Sequence, residues 1–399
     1  MTPAGERYTT ERLGPRLTIV DPSGRFLFVA NWTSSDLSAY RIDQATGALA
    51  SFPGSPFPSG QNPRAVTIDP AGRFLYTADW GSATISGWAL DPVAGSLRPL
   101  DGSPFPTGRN PRNIRFTETG DFGFVSCAAD AVIAVYRRDA GTGRLTNLAR
   151  VPTAARPRSA MVDPSGRLVL TAHEGSTVVS VFRVDPRGHL TPAPGSPFRA
   201  GTDPRFVTVD PAGRYAFVPN QRSNDVSGYH IDAETGHLTP IVGSPFSAGR
   251  RPFQLVLSPD GRFGYLANEK SNTISAYRLE PTTGGLVPVL RHPAPAGRRP
   301  VWPTTDPSGR FLYVANRDSG NVSGWSIDQA TGALAAMPGS PFQAGRRPRA
   351  ITVVPSGRFA YVANDWSSDV SGYAVDSATG VLTPVPGSPF RAGTIVATV

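Results

Sequence analysis

The chain has 399 residues and a formal net charge of +9, and its 39 basic side chains are arginines except for Lys270. A single cysteine, Cys127, excludes an internal disulfide, and no run approaches the roughly 18–20 apolar residues of a membrane-crossing helix. Glycine (42) and proline (41) together stay below the roughly 25–30% of low-complexity disorder, and both recur at fixed places.

Residues 1–14 show no apolar core of a signal peptide. They are a candidate ring-closing segment, as are residues 394–399. The chain as given is expected to be soluble, either cytoplasmic or exported with a signal removed. From residue 15 to 393 one unit repeats. Asp-Pro-Ser-Gly-Arg at Asp21–Arg25 returns, with Ser or Ala third, at Asp69, Asp163, Asp210 and Asp306, and looser copies begin at Thr117, Ser258 and Val354. Eight copies spaced by 46–48 residues make a repeat architecture, which takes precedence over a count of domains by length.

The second unit shows the expected elements. Pro63–Ile68 is short and β-branched, as suits a buried strand. Asp69-Pro70-Ala71-Gly72 turns the chain, because Asp bonds the backbone ahead, Pro presets φ and Gly accepts positive φ. Arg73–Ala78 and Thr84–Leu90 are a second and third strand. After a turn at Asp91–Gly95, Ser96–Leu100 forms a fourth, ending in Gly-Ser-Pro-Phe, whose proline suits an edge. Four antiparallel strands with no helical period cannot bury both faces alone. Eight such sheets stacked around an axis can, so the expected fold is all-β: one eight-bladed β-propeller.

In an antiparallel meander successive hairpins alternate ends. The Asp-Pro-Ser-Gly and Thr-Gly turns therefore share one face, where turn Asp offsets turn Arg. The lead-ins to each first strand share the other face, here the top. Pro-Arg at those lead-ins places Arg16, Arg64, Arg112, Arg158, Arg205 and Arg349 in a ring, replaced by Phe253 and Val301 in two copies. Arginine forks suit bidentate capture of carboxylate or phosphate, although bracing of neighbouring blades is the plainer role.

After each second strand one column reads Asn31, Asp79, Cys127, His173, Asn220, Asn268, Asn316 and Asn364, and the repeated Asn is expected to cap its own loop. The next column contains Trp32, Trp80, Glu174, Glu269 and Arg317, with Trp366 just beyond Asp365. Trp32, Trp80 and Trp366 among arginines suit a sugar or planar anion, or seal blade edges. His173 with a carboxylate could act as acid or base near neutral pH. Ala65, Thr67, Asn113, Arg115, Ser159, Gln254 and Trp302 are expected to face the channel, Arg115 and Trp302 standing out. The five histidines are scattered, so no metal is expected, and no cofactor motif occurs.

The unit Asp306–Ile327 (DPSGRFLYVANRDSGNVSGWSI) resembles the repeats of lactonase-type β-propellers, including 6-phosphogluconolactonase and Tyr-Val-Thr-Asn repeat proteins. These relatives usually have seven blades. The resemblance implies paired Asn-Glu and Asn-Arg sites, matched by Asn268-Glu269 and Asn316-Arg317. Its His-x-His is replaced by Arg156-Pro157-Arg158, and its first-strand Glu by Trp302. The leading expectation is a propeller that binds an anionic small molecule (a sugar phosphate or sugar acid), an acidic glycan or another partner on its arginine-rich top. The alternative is a lactonase in which Glu269, His173 and Arg317 serve catalysis. A non-catalytic scaffold is a third reading. Nucleic acid and membrane are not expected partners, and a monomer is expected.

Overall fold

The computed structural model describes residues 14–393, so both candidate closing segments lie outside the described residues except Gly14. Eight antiparallel sheets follow one another along the chain, each a meander running outward from the axis. In blade 2 the strands are Pro63–Ile68, Phe74–Asp79, Thr84–Asp91 and an outer strand in two pieces, Ser96–Pro99 and Phe105–Pro106. Both pieces pair with the third strand, because Gly-Ser-Pro lifts the backbone out of the ladder between them. Blade 3 lacks Gly-Ser-Pro-Phe, and its outer strand, Leu145–Pro152, runs unbroken.

The core lies between the blades. Eight apolar clusters each join two neighbours, and the cluster uniting Leu27, Val29 and Tyr40 with Phe359, Tyr361 and Val370 closes the ring between blades 8 and 1. Each second strand is buried throughout in most blades, as Phe311–Asn316 is, because both its faces meet other sheets. Polar contacts add register. Thr67 Oγ1 donates to Ile114 O at 2.9 Å, Thr208 Oγ1 to Leu255 O at 2.8 Å and Thr304 Oγ1 to Ile351 O at 3.0 Å, each linking one inner strand to the next.

The bottom turns lock adjacent blades. Arg25 donates to Pro92 O at 3.0 Å, Arg73 to Ala140 O at 2.7 Å and Arg262 to Gln329 O at 3.1 Å. The turn arginines thus reach a neighbouring blade's carbonyl, and the bracing role applies here. Buried tyrosines reach the same turns: Tyr76 donates to Gly143 O at 2.6 Å and Tyr361 to Gly47 O at 2.7 Å, satisfying phenols that would otherwise be costly to bury.

Candidate functional site

Every top loop is fixed by one repeated bond. The residue after each second strand donates its N–H to the carbonyl of the residue preceding the lead-in proline: Trp80 to Asn62 at 3.1 Å, Glu174 to Arg156 at 3.1 Å, Glu269 to Arg251 at 2.9 Å and Arg317 to Arg299 at 3.0 Å. That geometry requires left-handed backbone before the proline. In blades 1, 2, 3 and 5 the position holds Gly14, Asn62, Asn110 and Asp203, which tolerate it. In blades 4, 6, 7 and 8 it holds Arg156, Arg251, Arg299 and Arg347, with φ from 54° to 56°.

The inner strands bulge just after the proline. In blades 1, 2 and 8 the unpaired residue is Arg16, Arg64 or Arg349, and a bulge of this kind re-aims its side chain. In blade 7 Pro303 shifts the bulge by one residue, so Trp302 is unpaired and adopts φ 53°.

These side chains surround a cavity of about 760 Å³ on the ring axis, lined by eleven arginines and two glutamates. Arg16, Arg64, Arg112, Arg115, Arg158, Arg205, Arg317, Arg349, Glu174, Glu269 and Trp302 all line it, so the sequence brought most of its candidates to one place. The expected channel residues Ala65, Thr67, Asn113, Ser159 and Gln254 line it too.

Glu174 is held by four arginines. Arg112 Nη2 lies 2.6 Å and Arg158 Nη1 3.1 Å from Oε2, while Arg205 Nη1 lies 3.1 Å and Arg156 Nη2 3.6 Å from Oε1. Burial alone would raise this carboxyl, but Arg158, Arg112, Arg205 and Arg156 hold it down at about 2. Arg205 also donates Nε to Gln221 Oε1 at 2.7 Å, and Gln221 Nε2 donates to Glu269 Oε2 at 3.0 Å. Glu269 is buried, with Arg251 Nη2 at 3.7 Å and Arg299 Nε at 3.8 Å. On the opposite side Asp365 pairs with Arg349 Nε at 3.0 Å and Arg317 Nη2 at 3.8 Å.

Arg16 and Arg64 form no ion pair among the described residues. Arg16 lies 3.9 Å from the centroid of Trp32 and Arg64 5.2 Å from that of Trp80. Burial and then Arg349 press the Arg16 pKa down to about 9. Arg64 is lowered by burial and by Arg112, Arg158 and Arg16. Burial is the main cause at both, and since a guanidinium stays charged an anion here would offset a desolvated cation.

Three expectations are corrected. Trp32, Trp80 and Trp366 do not line the cavity; they lie behind it, beneath arginines, with Arg347 4.3 Å from the Trp366 centroid. His173 is fully buried, its Nε2 2.9 Å from Ser180 Oγ and its Nδ1 3.2 Å from Ala155 O, and burial lowers it to about 4. It is a structural residue in the Asn column, out of reach of a ligand. That column points between sheets, and instead of capping loop backbone Asn31 Nδ2 donates to the side chains of Asp36 at 2.6 Å and Ser38 at 2.8 Å on the third strand.

Asp79 occupies the same buried column, where burial raises it to about 6 against four hydrogen bonds from Thr77, Thr84 and Ser86. Its folded pKa lies above the unfolded one, so stability falls as pH rises from about 4 through 6. Asp79→Asn, which copies five other blades, should raise stability at pH 7 by about 2 kcal/mol and flatten that slope. Denaturant midpoints at pH 4 and 7 check it.

The sequence reading gave no site role to Gln221, Asp365, Phe206 and Phe253. Phe206, Phe253 and Trp302 pack against one another with centroids 5.4, 5.5 and 6.2 Å apart, and all three line the cavity.

The family profile described as "Lactonase, 7-bladed beta-propeller" matches segments that together span residues 4–397. No curated protein matches. Among solved structures, a provisionally assigned 6-phosphogluconolactonase of Bacteroides uniformis is 23% identical, with TM-score 0.65, over 78% of this chain and 94% of its own. A protein of Bacteroides fragilis with the same provisional assignment is 19% identical, with TM-score 0.62, over 97% and 98%. The periplasmic gluconolactonase of Pseudomonas aeruginosa is 21% identical, with TM-score 0.60, over 95% and 96%. At these identities the likeness concerns the fold, and the eight sheets exceed the family's seven blades by one.

Proposed function

We propose that this chain, which belongs to the lactonase β-propeller family, binds a small organic acid through its carboxylate or phosphate at the arginine-lined mouth. One observation carries the reading. Arg156, Arg251, Arg299 and Arg347 occupy left-handed backbone where four other blades use Gly, Asn or Asp. A non-glycine residue there costs on the order of 1 kcal/mol, and strain of this kind collects at ligand clamps. The loop bond does not account for the choice of arginine, since Asn62 and Asp203 accept the same backbone bond.

Glu174 already fills the seat formed by Arg112, Arg158 and Arg205. The ligand's charge is therefore assigned to Arg16 and Arg64, with Arg349, Arg317 and Arg299 at the flank. Arg299→Asn tests the strain argument. Its ion pairs, to Glu269 at 3.8 Å and Asp318 at 3.9 Å, are long, so the unliganded protein should be as stable or up to about 1 kcal/mol more so. Affinity for gluconate or 6-phosphogluconate should fall about tenfold, the size of one charge-assisted hydrogen bond. Melting curves with and without ligand read both effects; unchanged affinity would remove Arg299 from the site.

A second reading is hydrolysis of a sugar lactone. It is favoured by Glu269, a cavity-lining carboxylate oriented by Gln221, within the Asn268-Glu269 pair. There Glu269 would take a proton from water attacking the lactone carbonyl while arginines hold the developing oxyanion. Phosphogluconolactone turnover reduced at least a hundredfold in Glu269→Gln would support it, and equal rates would dismiss it.

A further inference from the structure

Resting on the anion-binding reading, we infer that the ligand carries a flat apolar ring as well as its charge: an aromatic carboxylate or phosphate rather than a polyhydroxylated acid. Phe206, Phe253 and Trp302 come from consecutive blades 5, 6 and 7 and form a continuous, half-exposed wall of the cavity. Two of the three depart from what the repeat places there. Phe253 stands where six other blades place a ring arginine, and Trp302 stands in left-handed backbone that a bulky side chain adopts only under constraint. The shifted bulge at Pro303 is what leaves Trp302 unpaired at the axis.

In a ring of eight, blade 6 lies opposite blade 2, so the wall faces Arg64 and its neighbour Arg16 across the axis. The cavity thus sets an aromatic wall, beside Arg205, Arg251, Arg299 and Arg317 of the same blades, across the axis from Arg16 and Arg64, which have no ion pair among the described residues. Arg158, 5.1 Å from the Phe206 centroid, marks the border between them. A cavity of about 760 Å³ suits a one- or two-ring ligand. A planar ring would bury exposed aromatic surface in offset or edge-on contact, while its acid group meets the arginines.

The test titrates wild-type protein calorimetrically with phenyl phosphate, 4-hydroxybenzoate, 6-phosphogluconate and gluconate. The same titrations are run on Phe253→Arg, which follows the chain's own pattern and so preserves the fold, and on Trp302→Ala. The inference predicts that each aromatic acid binds at least tenfold more tightly than the sugar acid of like charge. It also predicts that both variants erase this preference, Trp302→Ala by weakening the aromatic acids and Phe253→Arg by exchanging a ring contact for a cation that serves the sugar acids equally. Equal affinities in wild type, or a preference untouched by both variants, would overturn it while leaving the anion site standing. Absence of binding by all four acids would overturn both.

Discussion

Replacing Glu174 with Ala is expected to destabilise the protein by about 3 kcal/mol at low ionic strength, and added anions should restore most of the loss. The expectation follows from the four arginines around one carboxylate. Arg112, Arg158 and Arg205 are 7, 10 and 12% exposed, and removing their shared partner leaves buried charges uncompensated. Breaking a buried pair in this way costs roughly 3–5 kcal/mol, and the partial exposure of Glu174 argues for the low end. The vacated seat is itself an anion site. Phosphate or citrate at a hundred times its dissociation constant should return about 2.7 kcal/mol, whereas chloride should return far less. Glu174→Gln separates charge from shape and should show the same anion dependence. The depressed pKa adds an acid signature. This contribution is present above about 4.5 and disappears as pH falls through about 2, so wild type should keep it well into acid. Urea midpoints in phosphate and in chloride measure all three proteins.

Gly332→Ala should be comparably severe, by about 3 kcal/mol, for a reason that belongs to the ring rather than the site. Gly332 has φ 75°, and a Cβ there would lie 2.2 Å from Cδ1 of Phe263 in the preceding blade. The same joint recurs as Gly188 on Phe122, Gly380 on Phe311 and, across the ring closure, Gly47 on Phe359. Backbone strain contributes about 1 kcal/mol and overpacking roughly 1–3 kcal/mol more. Gly357 is the control, since its φ is 73° but nothing lies within 4 Å of its Cβ position. Gly357→Ala should cost only the backbone share. Equal losses for the two variants would show that the blade joint is not close-packed.

The fold was legible because one turn repeated eight times, and the repeat fixed both the number of sheets and the face each loop occupies. The arginine ring was legible for the same reason. The alternation of facing was harder to read. His173 and Glu174 are adjacent, yet successive strand residues point oppositely, so one seals the sheets and the other meets four arginines. Read as a strand end rather than a loop, the Asn column would have excluded His173. The strained arginines could have been suspected from Asn62, Asn110 and Asp203 in their column, because those residues share tolerance of positive φ. Phe206 was missed because the inner strand of blade 5 shortens to Thr208–Val209, and nothing in the spacing reports that detachment.

The most direct test of the central claim is a calorimetric titration of 6-phosphogluconate and phenyl phosphate into wild type and an Arg16→Ala, Arg64→Ala double variant. Both arginines lack an ion-pair partner among the described residues, so their loss should not unfold the protein. The account predicts saturable binding of at least one acid at one site per chain, weakened by salt and reduced at least a hundredfold in the double variant. Heats no larger than dilution in wild type, or equal affinity in the two proteins, would contradict it.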